Sequence, residues 1–192
     1  MTGAATDLDR DVFVWIVEHR LAPLDWVFVL LSAAGTAALL WIALAPLVAL
    51  WARKPVLSTT LLTMATVWTA DVIAVGLKYA FDRERPHQAL EEAEPLLRWD
   101  AGSSFPSGHA ATSVAGAIIL THLAGGRGGW ALWPLAAAVA FSRVYIGVHY
   151  PLDVLAGAAI GAAVGVGAVL LLRRLRPTSG APPRSGRARP GG

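Results

Sequence analysis

Five long apolar stretches, at positions 24–51, 56–78, 107–123, 130–147 and 154–172, leave a chain of 192 residues little room for anything else. A helix that crosses a membrane needs roughly 20 apolar residues, with a range of about 17 to 25, and each stretch meets that requirement. The composition agrees: 55% hydrophobic residues, 15% charged and a mean hydropathy of +0.54 lie outside ordinary soluble usage. The expected fold is all-α, a polytopic membrane helix bundle of about five transmembrane helices, with one membrane-embedded domain over residues 1–172.

At about 1.5 Å per residue the first stretch would be about 42 Å long, more than a hydrocarbon core of about 30 Å, so it must tilt, kink or protrude. Gly35 and Pro46 are the expected break points. Ahead of it, residues 8–21 place Val12, Phe13, Ile16 and Val17 among Asp9, Arg10, Asp11, Glu18, His19 and Arg20. That pattern predicts an N-terminal amphipathic helix at the membrane interface, or else a short first helix entering the bundle, with Pro23 separating it from the next element. Residues 1–12 lack a basic segment followed by an apolar core, so no cleaved signal peptide is expected there.

The chain contains no cysteine, which removes disulfides, thiolate nucleophiles and thiolate metal sites together. Lys and Arg concentrate in the short connections at Arg53-Lys54 and Arg127 and in the tail, where Arg173, Arg174, Arg176, Arg184, Arg187 and Arg189 crowd together. With five alternating helices these three regions share one side, the cytoplasmic one. The acidic connection at 82–100 then faces outward. Residues 173–192, rich in Pro, Gly, Ser and Arg, are expected to form a basic disordered cytoplasmic tail attracted to anionic lipid headgroups, with no nucleic-acid partner.

Polar residues interrupt this apolar chain in three groups, all predicted at the outer end of the bundle. Lys78 and Arg85-Pro86 end the second stretch and begin the next connection. Cations are costly there unless paired or facing a polar cavity, and a bound phosphate would supply the partner. Arg offers phosphate a planar fork, and Lys a mobile point charge. Standing alone, Lys78 would read as a lysine reaching from a helix end to the interface.

Pro106-Ser107-Gly108-His109 precedes a helix of small residues. Proline is favoured in a first helical turn, so the backbone N–H groups of Ser107, Gly108 and His109 are expected there as an anion site, with His109 placed to donate a proton. In the third group, Tyr150-Pro151 marks another helix start with Asp153 in its first turn, facing the positive end of the helix dipole. His149 precedes it, close enough for Asp153 to fix its tautomer and free the other ring nitrogen as a nucleophile. Arg143 lies about one and a half turns earlier if the helix continues, within reach of the same phosphate.

Taken together, these groups resemble the three signature motifs of the type-2 phosphatidic acid phosphatase superfamily, which includes vanadium haloperoxidases. The signature reads Lys, six residues, Arg-Pro; Pro-Ser-Gly-His; and Ser-Arg, five residues, His, three residues, Asp. Lys78, Arg85 and Pro86, then Pro106 to His109, then Ser142, Arg143, His149 and Asp153 meet it without a gap. The resemblance spans the second to fifth stretches and implies a phosphohistidine mechanism without metal or cofactor. In it His149 attacks, Asp153 orients, His109 protonates the leaving group, and Lys78, Arg85, Ser107, Gly108 and Arg143 hold the phosphate. Many members carry a second proline where this chain reads Arg83-Glu84-Arg85-Pro86. Arg83 is then an auxiliary substrate contact, and Glu84 a partner for it.

The implied substrate is a lipid phosphate or pyrophosphate: a polyprenyl pyrophosphate, phosphatidylglycerophosphate or phosphatidic acid. A lipid phosphotransferase would use the same residues. A metal site at His109, His149 and Asp153 is disfavoured because Lys78, Arg85 and Arg143 already concentrate positive charge. A soluble haloperoxidase would have to bury the apolar stretches in a globule, and a transporter or structural bundle would not require the whole motif set on one face.

Asp71, seven residues before Lys78, shares its face and reads first as a buried partner that positions neighbouring helices. His87 and His122 read as a loop residue and a packing residue. Gly157, Gly161 and Gly165 repeat every four residues, a smooth strip for close helix packing within the bundle or in a homodimer. The eight tryptophans read as membrane anchors.

Overall fold

The structure of the protein, a computed structural model, describes residues 3–90, 93–97, 102–125 and 127–175. All regular structure among them is helical: α1 (Gly3–Glu18), α2 (Ala22–Ala34), α3 (Leu39–Trp51), α4 (Val56–Phe81), the short α5 (Pro86–Ala89), α6 (Gly108–Ala124), α7 (Leu132–Tyr145) and α8 (Pro151–Leu175). Short 3₁₀ turns at Thr36–Ala38 and Arg127–Ala131 precede α3 and α7. The predicted all-α membrane bundle is what the chain forms.

The five predicted spans divide unequally. The stretch that includes α4, and α8, are each long and apolar enough to cross a membrane. The first predicted span is a broken pair, α2 and α3 meeting at 61°, which makes a third crossing if counted as one. The break falls just after Gly35, at Ala37 and Ala38, whose φ values of 50° and 61° no helix accommodates. Pro46 sits inside α3 instead. α6 and α7 are shorter, at 17 and 14 residues.

The bundle is built small side inward. On α4 the buried positions are Thr59, Thr63, Thr66, Val67, Ala70 and Ala74, while Leu57, Leu61, Trp68 and Val72 point out. Thr63 and Thr66 return their hydroxyls to carbonyls four residues back, at 2.9 and 2.7 Å, so both are satisfied within the helix itself. Small residues let helix backbones approach closely, which is how helices associate in an apolar solvent.

On α8 the same rule reaches its limit. A Cβ at Gly157 would stand 2.2 Å from the carbonyl oxygen of Ser107, one at Gly161 2.2 Å from that of Ala111, and one at Gly165 2.9 Å from Ile118. The predicted glycine strip is therefore filled by α6 of the same chain, which takes it away from the homodimer contact expected as its alternative use. Trp41 also departs from its expected role. It is fully buried, its ring lies over Gly116, and its Nε1 donates to Ser113 at 3.2 Å, so it is core and no interfacial anchor. Trp15, Trp26, Trp51 and Trp130 are exposed, as anchors would be.

The N-terminal helix uses its apolar side against the protein. Phe13 is fully buried with Leu90, Ala93 and Val144 and meets the ring of Tyr150 edge-on at 5.4 Å. Asp9, on the same helix, is buried too. At the other terminus α8 continues to Leu175, so Arg173 and Arg174 occupy its last turn. The rest of the predicted tail, from 176 onward, lies outside the described residues, as do Glu91, Glu92 and Asp100 of the acidic connection.

Candidate active site

The end of α4, the start of α6 and the turn between α7 and α8 meet at one end of the bundle around a cavity of about 660 Å³. Lys78, Arg85, Gly108, His109, Arg143 and His149 all line it. Residues that span 71 positions of sequence thus share one wall, whereas Ser107 and Asp153 stand behind it, fully buried. A second cavity, of about 800 Å³, opens at the far end of α4 beside Lys54 and His122 and contains none of these residues. The chemistry, not the volume, identifies the site.

The cations are anchored on backbone carbonyls. Lys78 Nζ donates to the carbonyl of Ser103 at 2.8 Å, and Arg85 Nη2 donates to that same oxygen at 3.2 Å. Arg85 also donates through Nε to Gly102 at 2.9 Å and through Nη1 to Val148 at 3.0 Å. Its Nη1 lies 3.4 Å from Nε2 of His149. Ser103 thereby ties both cations to the segment that leads into α6.

His149 is held between two helices. α7 stops at Tyr145, so the helix does not carry on from Arg143 to His149. Gly147 turns the chain at φ 90°, and the N–H groups of Val148 and His149 fold back to the carbonyl of Arg143, each at 3.2 Å. Glycine is required there, because a Cβ would also meet Arg20 at 2.8 Å. The turn brings Arg143 and His149 onto one cavity wall.

Nδ1 of His149 faces Oδ2 of Asp153 at 3.5 Å, the long end of hydrogen-bond range, and such contacts commonly tighten when substrate binds. Oδ2 also accepts from the hydroxyl of Ser104 and from the N–H of Tyr150, at 2.9 Å for the latter. Oδ1 accepts from Arg83 at 2.6 Å. Burial lowers the pKa of the His149 imidazole to about 4, with Arg143 and Arg85 pushing the same way and Asp153 opposing. The ring is therefore neutral at pH 7, as a nucleophile must be.

At the start of α6 the outcome differs from expectation. Pro106 lies ahead of the helix and Ser107 is its N-cap, accepting from Ala110 N at 3.4 Å. The N–H of Ser107 donates to the carbonyl of Asp153 at 2.9 Å, so it serves as a tether between α6 and α8 and is not offered to an anion. The first turn of α6 reaches the cavity through Gly108 and His109. Asp71 also lines the cavity, and a Cβ on Gly108 would stand 3.1 Å from its Oδ1.

His109 Nε2 lies 3.0 Å from the carbonyl oxygen of Ser32, which assigns the proton of the neutral ring to that nitrogen. A Cβ at Gly35 would strike its Cδ2 at 2.8 Å. The break between α2 and α3 therefore has a use: it brings glycine and a spent helix end against the ring. The hydroxyl of Ser32 accepts from Nη1 of Arg143. Ser32, Ser103, Ser104 and Asp9 were not among the predicted site residues. Ser103 and Ser104 lie three and two residues before the Pro-Ser-Gly-His motif, and that proximity was a usable signal. Arg83 was expected to touch substrate and pair with Glu84. It binds Asp9 and Asp153 instead, because two carboxylates close around it.

The family model of the PAP2 superfamily matches residues 55–177. An undecaprenyl-diphosphatase of Sulfolobus acidocaldarius is 32% identical over 152 residues, 79% of this chain and 72% of that protein. Among solved structures, the transmembrane PAP2 type phosphatidylglycerolphosphate phosphatase from Bacillus subtilis superposes with a TM-score of 0.75 at 21% identity, over 92% of this chain and 90% of its own, a likeness of fold. LpxE of Aquifex aeolicus superposes with a TM-score of 0.70 at 28% identity, over 83% of this chain and 93% of its own.

Proposed function

The chain belongs to the PAP2 superfamily, and on that premise we propose that it is an integral-membrane phosphatase acting on a lipid phosphate or pyrophosphate through a phosphohistidine at His149. The observation that carries this reading is the shared cavity wall, where three cations and two histidines converge and one histidine is backed by a buried carboxylate. Phosphoryl transfer is mainly positioning and charge stabilisation, and this wall offers both.

Lys78, Arg85, Arg143 and the start of α6 at Gly108 hold the phosphate oxygens. Nε2 of His149 forms the new N–P bond as the P–O bond to the leaving group breaks, while Asp153 stabilises the charge on the ring. His109, as an imidazolium whose Nε2–H stays on the Ser32 carbonyl, gives the departing oxygen the proton of Nδ1. Water then attacks phosphorus as the N–P bond to His149 breaks, with Nδ1 of His109 taking a proton from the water, and inorganic phosphate leaves. The charge that a metal would supply elsewhere comes here from the three side-chain cations, which supports a metal-independent reaction.

Support for a lipid substrate comes from the α4 side of the cavity, where Val75 and Tyr79 form part of the lining and are exposed on the outer surface of the bundle. A phosphate can enter the cationic wall there while its hydrocarbon tail stays against the apolar face of α4. The relative named a diphosphatase favours a polyprenyl pyrophosphate among the candidates.

The test is purified protein assayed against polyprenyl pyrophosphate, phosphatidylglycerophosphate and phosphatidic acid, with and without EDTA, and acid- and alkali-quenched during turnover of labelled substrate. The expected result is release of phosphate with EDTA present and an alkali-stable, acid-labile protein phosphate that His149→Ala abolishes. Phosphate release from His149→Ala at the wild-type rate overturns the reading.

A further inference from the structure

Arg83 is forked between two carboxylates from opposite ends of the chain. Nη1 donates to Oδ1 of Asp153 at 2.6 Å and Nη2 to Oδ2 of Asp9 at 2.7 Å. The carboxylates are 0% and 1% exposed and the guanidinium side chain 19%, so the triad is shielded and Coulomb interactions within it are only weakly screened. The guanidinium lies over the ring of Tyr150 at 4.1 Å. The backbone of Arg83 is fixed as well: its N–H donates to the Ser103 hydroxyl at 2.9 Å and its carbonyl accepts from Ser104 N at 2.7 Å. Oδ1 of Asp9 accepts from the N–H of Leu152 at 2.8 Å, in the first turn of α8.

Arg83 grips Asp153 directly, and Asp9, Ser103, Ser104 and Tyr150 hold Arg83 in place. Oδ2 of Asp153 faces His149, and Arg83 alone of the contacts described above holds Oδ1, so the fork sets the rotation of the carboxylate. Asp9 in turn takes half of the fork and shares the charge that Arg83 presents. We propose that Asp9 and Arg83 are positioning residues for the phosphoryl transfer, with the N-terminal helix serving as the arm that holds Asp153 from behind. This rests on the role given to Asp153 and His149 above. It makes α1, which the family model does not cover, part of the working enzyme.

The arrangement sets the signs of its own test. In Arg83→Gln the full charge of Asp153 falls on His149, so the ring should titrate at higher pH. In Asp9→Asn the charge of Arg83 is borne by Asp153 alone, so it should titrate at lower pH. Asp9→Asn/Arg83→Gln removes one charge of each sign and should titrate below Arg83→Gln. The other charged groups near the ring, Arg85 beside α5, Arg143 on α7, Lys78 and Asp71 on α4, Asp82 at its end and His109 on α6, are the same throughout.

The experiment reads the His149 titration by NMR of ¹⁵N-histidine-labelled full-length protein in detergent, with kcat/KM and Tm for each variant. The expected results are opposite shifts in the single variants, partial reversal in the double variant, and a loss of roughly 10- to 100-fold in kcat/KM for Arg83→Gln, the scale of a lost charged hydrogen bond. Arg83→Lys, which keeps the charge without the fork, should lose activity with little change in titration. Shifts of the same sign in both single variants, or losses of rate that only follow Tm, overturn the proposal. If Arg83→Gln does not fold, an unchanged titration in folded Asp9→Asn overturns it alone. Retained activity in His149→Ala would instead remove the reading beneath it.

Discussion

The guanidinium of Arg143 donates to the hydroxyl of Ser32, a residue 111 positions earlier in the chain. The carbonyl of the same serine receives Nε2 of His109. One residue at the end of α2 thus aims the proposed phosphate-binding cation with its side chain and the proposed acid with its backbone. Ser32→Ala keeps the carbonyl and removes the hydroxyl, so it should loosen Arg143 and leave His109 in place. We expect kcat/KM to fall roughly 10- to 100-fold, as when a hydrogen bond to a charged group is lost, with a fall in Tm of a few degrees that leaves the protein folded. Steady-state kinetics on the folded variant check it, and an unaltered kcat/KM removes Ser32 from the site.

Asp153→Asn retains the shape of the carboxylate and removes its charge. The rate should fall by about 10²- to 10⁴-fold while substrate still binds, because the group acts on the imidazolium formed during transfer. Product release compared with equilibrium binding of substrate separates the two effects. A normal turnover number would mean that Asp153 orients nothing of consequence.

The pH dependence has a defined sign. His149 titrates at about 4 in the folded protein, mainly through burial, against about 6.5 for an unperturbed imidazole. Between those values the unfolded chain binds the extra proton, so this residue makes stability rise with pH up to about 6.5 and contributes no further slope above it. His149→Gln lacks that contribution. The Tm advantage of the wild type over the variant should therefore shrink between pH 7.5 and pH 5, as thermal unfolding in one detergent can show; a constant difference contradicts the burial argument.

Gly161 and Gly167 lie on the same helix in opposite surroundings. A Cβ at Gly161 would press on the Ala111 carbonyl at 2.2 Å, whereas one at Gly167 meets nothing within 4 Å. Gly161→Ala should lower stability by about 1–3 kcal/mol, since backbone cannot step aside as a side chain can. Gly167→Ala should be neutral or stabilising by up to about 1 kcal/mol, the helix propensity gained. Thermal unfolding of the pair settles the comparison, and equal losses would contradict the backbone contact between α8 and α6 at Gly161.

The sidedness expected from positive charge can be tested at the two ends of α4. The chain has no cysteine, so single cysteines at Lys54 and Glu84, both exposed, report without background. A membrane-impermeant maleimide applied to intact cells should label Glu84→Cys and spare Lys54→Cys, placing the cavity on the outer face. The reverse pattern would put the cavity in the cytoplasm and exclude outer-leaflet lipids as substrates.

Much of the site was legible in sequence because its residues fall in short motifs at helix ends. Lys78 with Arg85, and His149 with Asp153, are linked by local spacing, and Pro151 announces the helix that carries Asp153. The partners that aim them are not local. Ser32 meets Arg143, and Asp9 meets Leu152, across 111 and 143 positions. Nothing in a lone serine in an apolar run, or in one acid among several on an amphipathic helix, marks it for such a contact. The break at Ala37 and Ala38 was legible as excess length beside Gly35, within a few residues, and its purpose needed the position of His109. The role of Ser107 was misjudged by one helical position: with Pro106 outside the helix, the serine became a cap and a tether.

The tether has a kinetic consequence. Ser107 hands its N–H to the carbonyl of Asp153, and Gly157 and Gly161 bring α8 down onto the carbonyls of α6 with no side chain between them. Helices in such contact cannot slide past one another without breaking it, so the two proposed proton and phosphoryl carriers ride on a single rigid body. The spacing of the proposed acid and nucleophile is then set by backbone contacts between α6 and α8 and not by side chains that could move between turnovers.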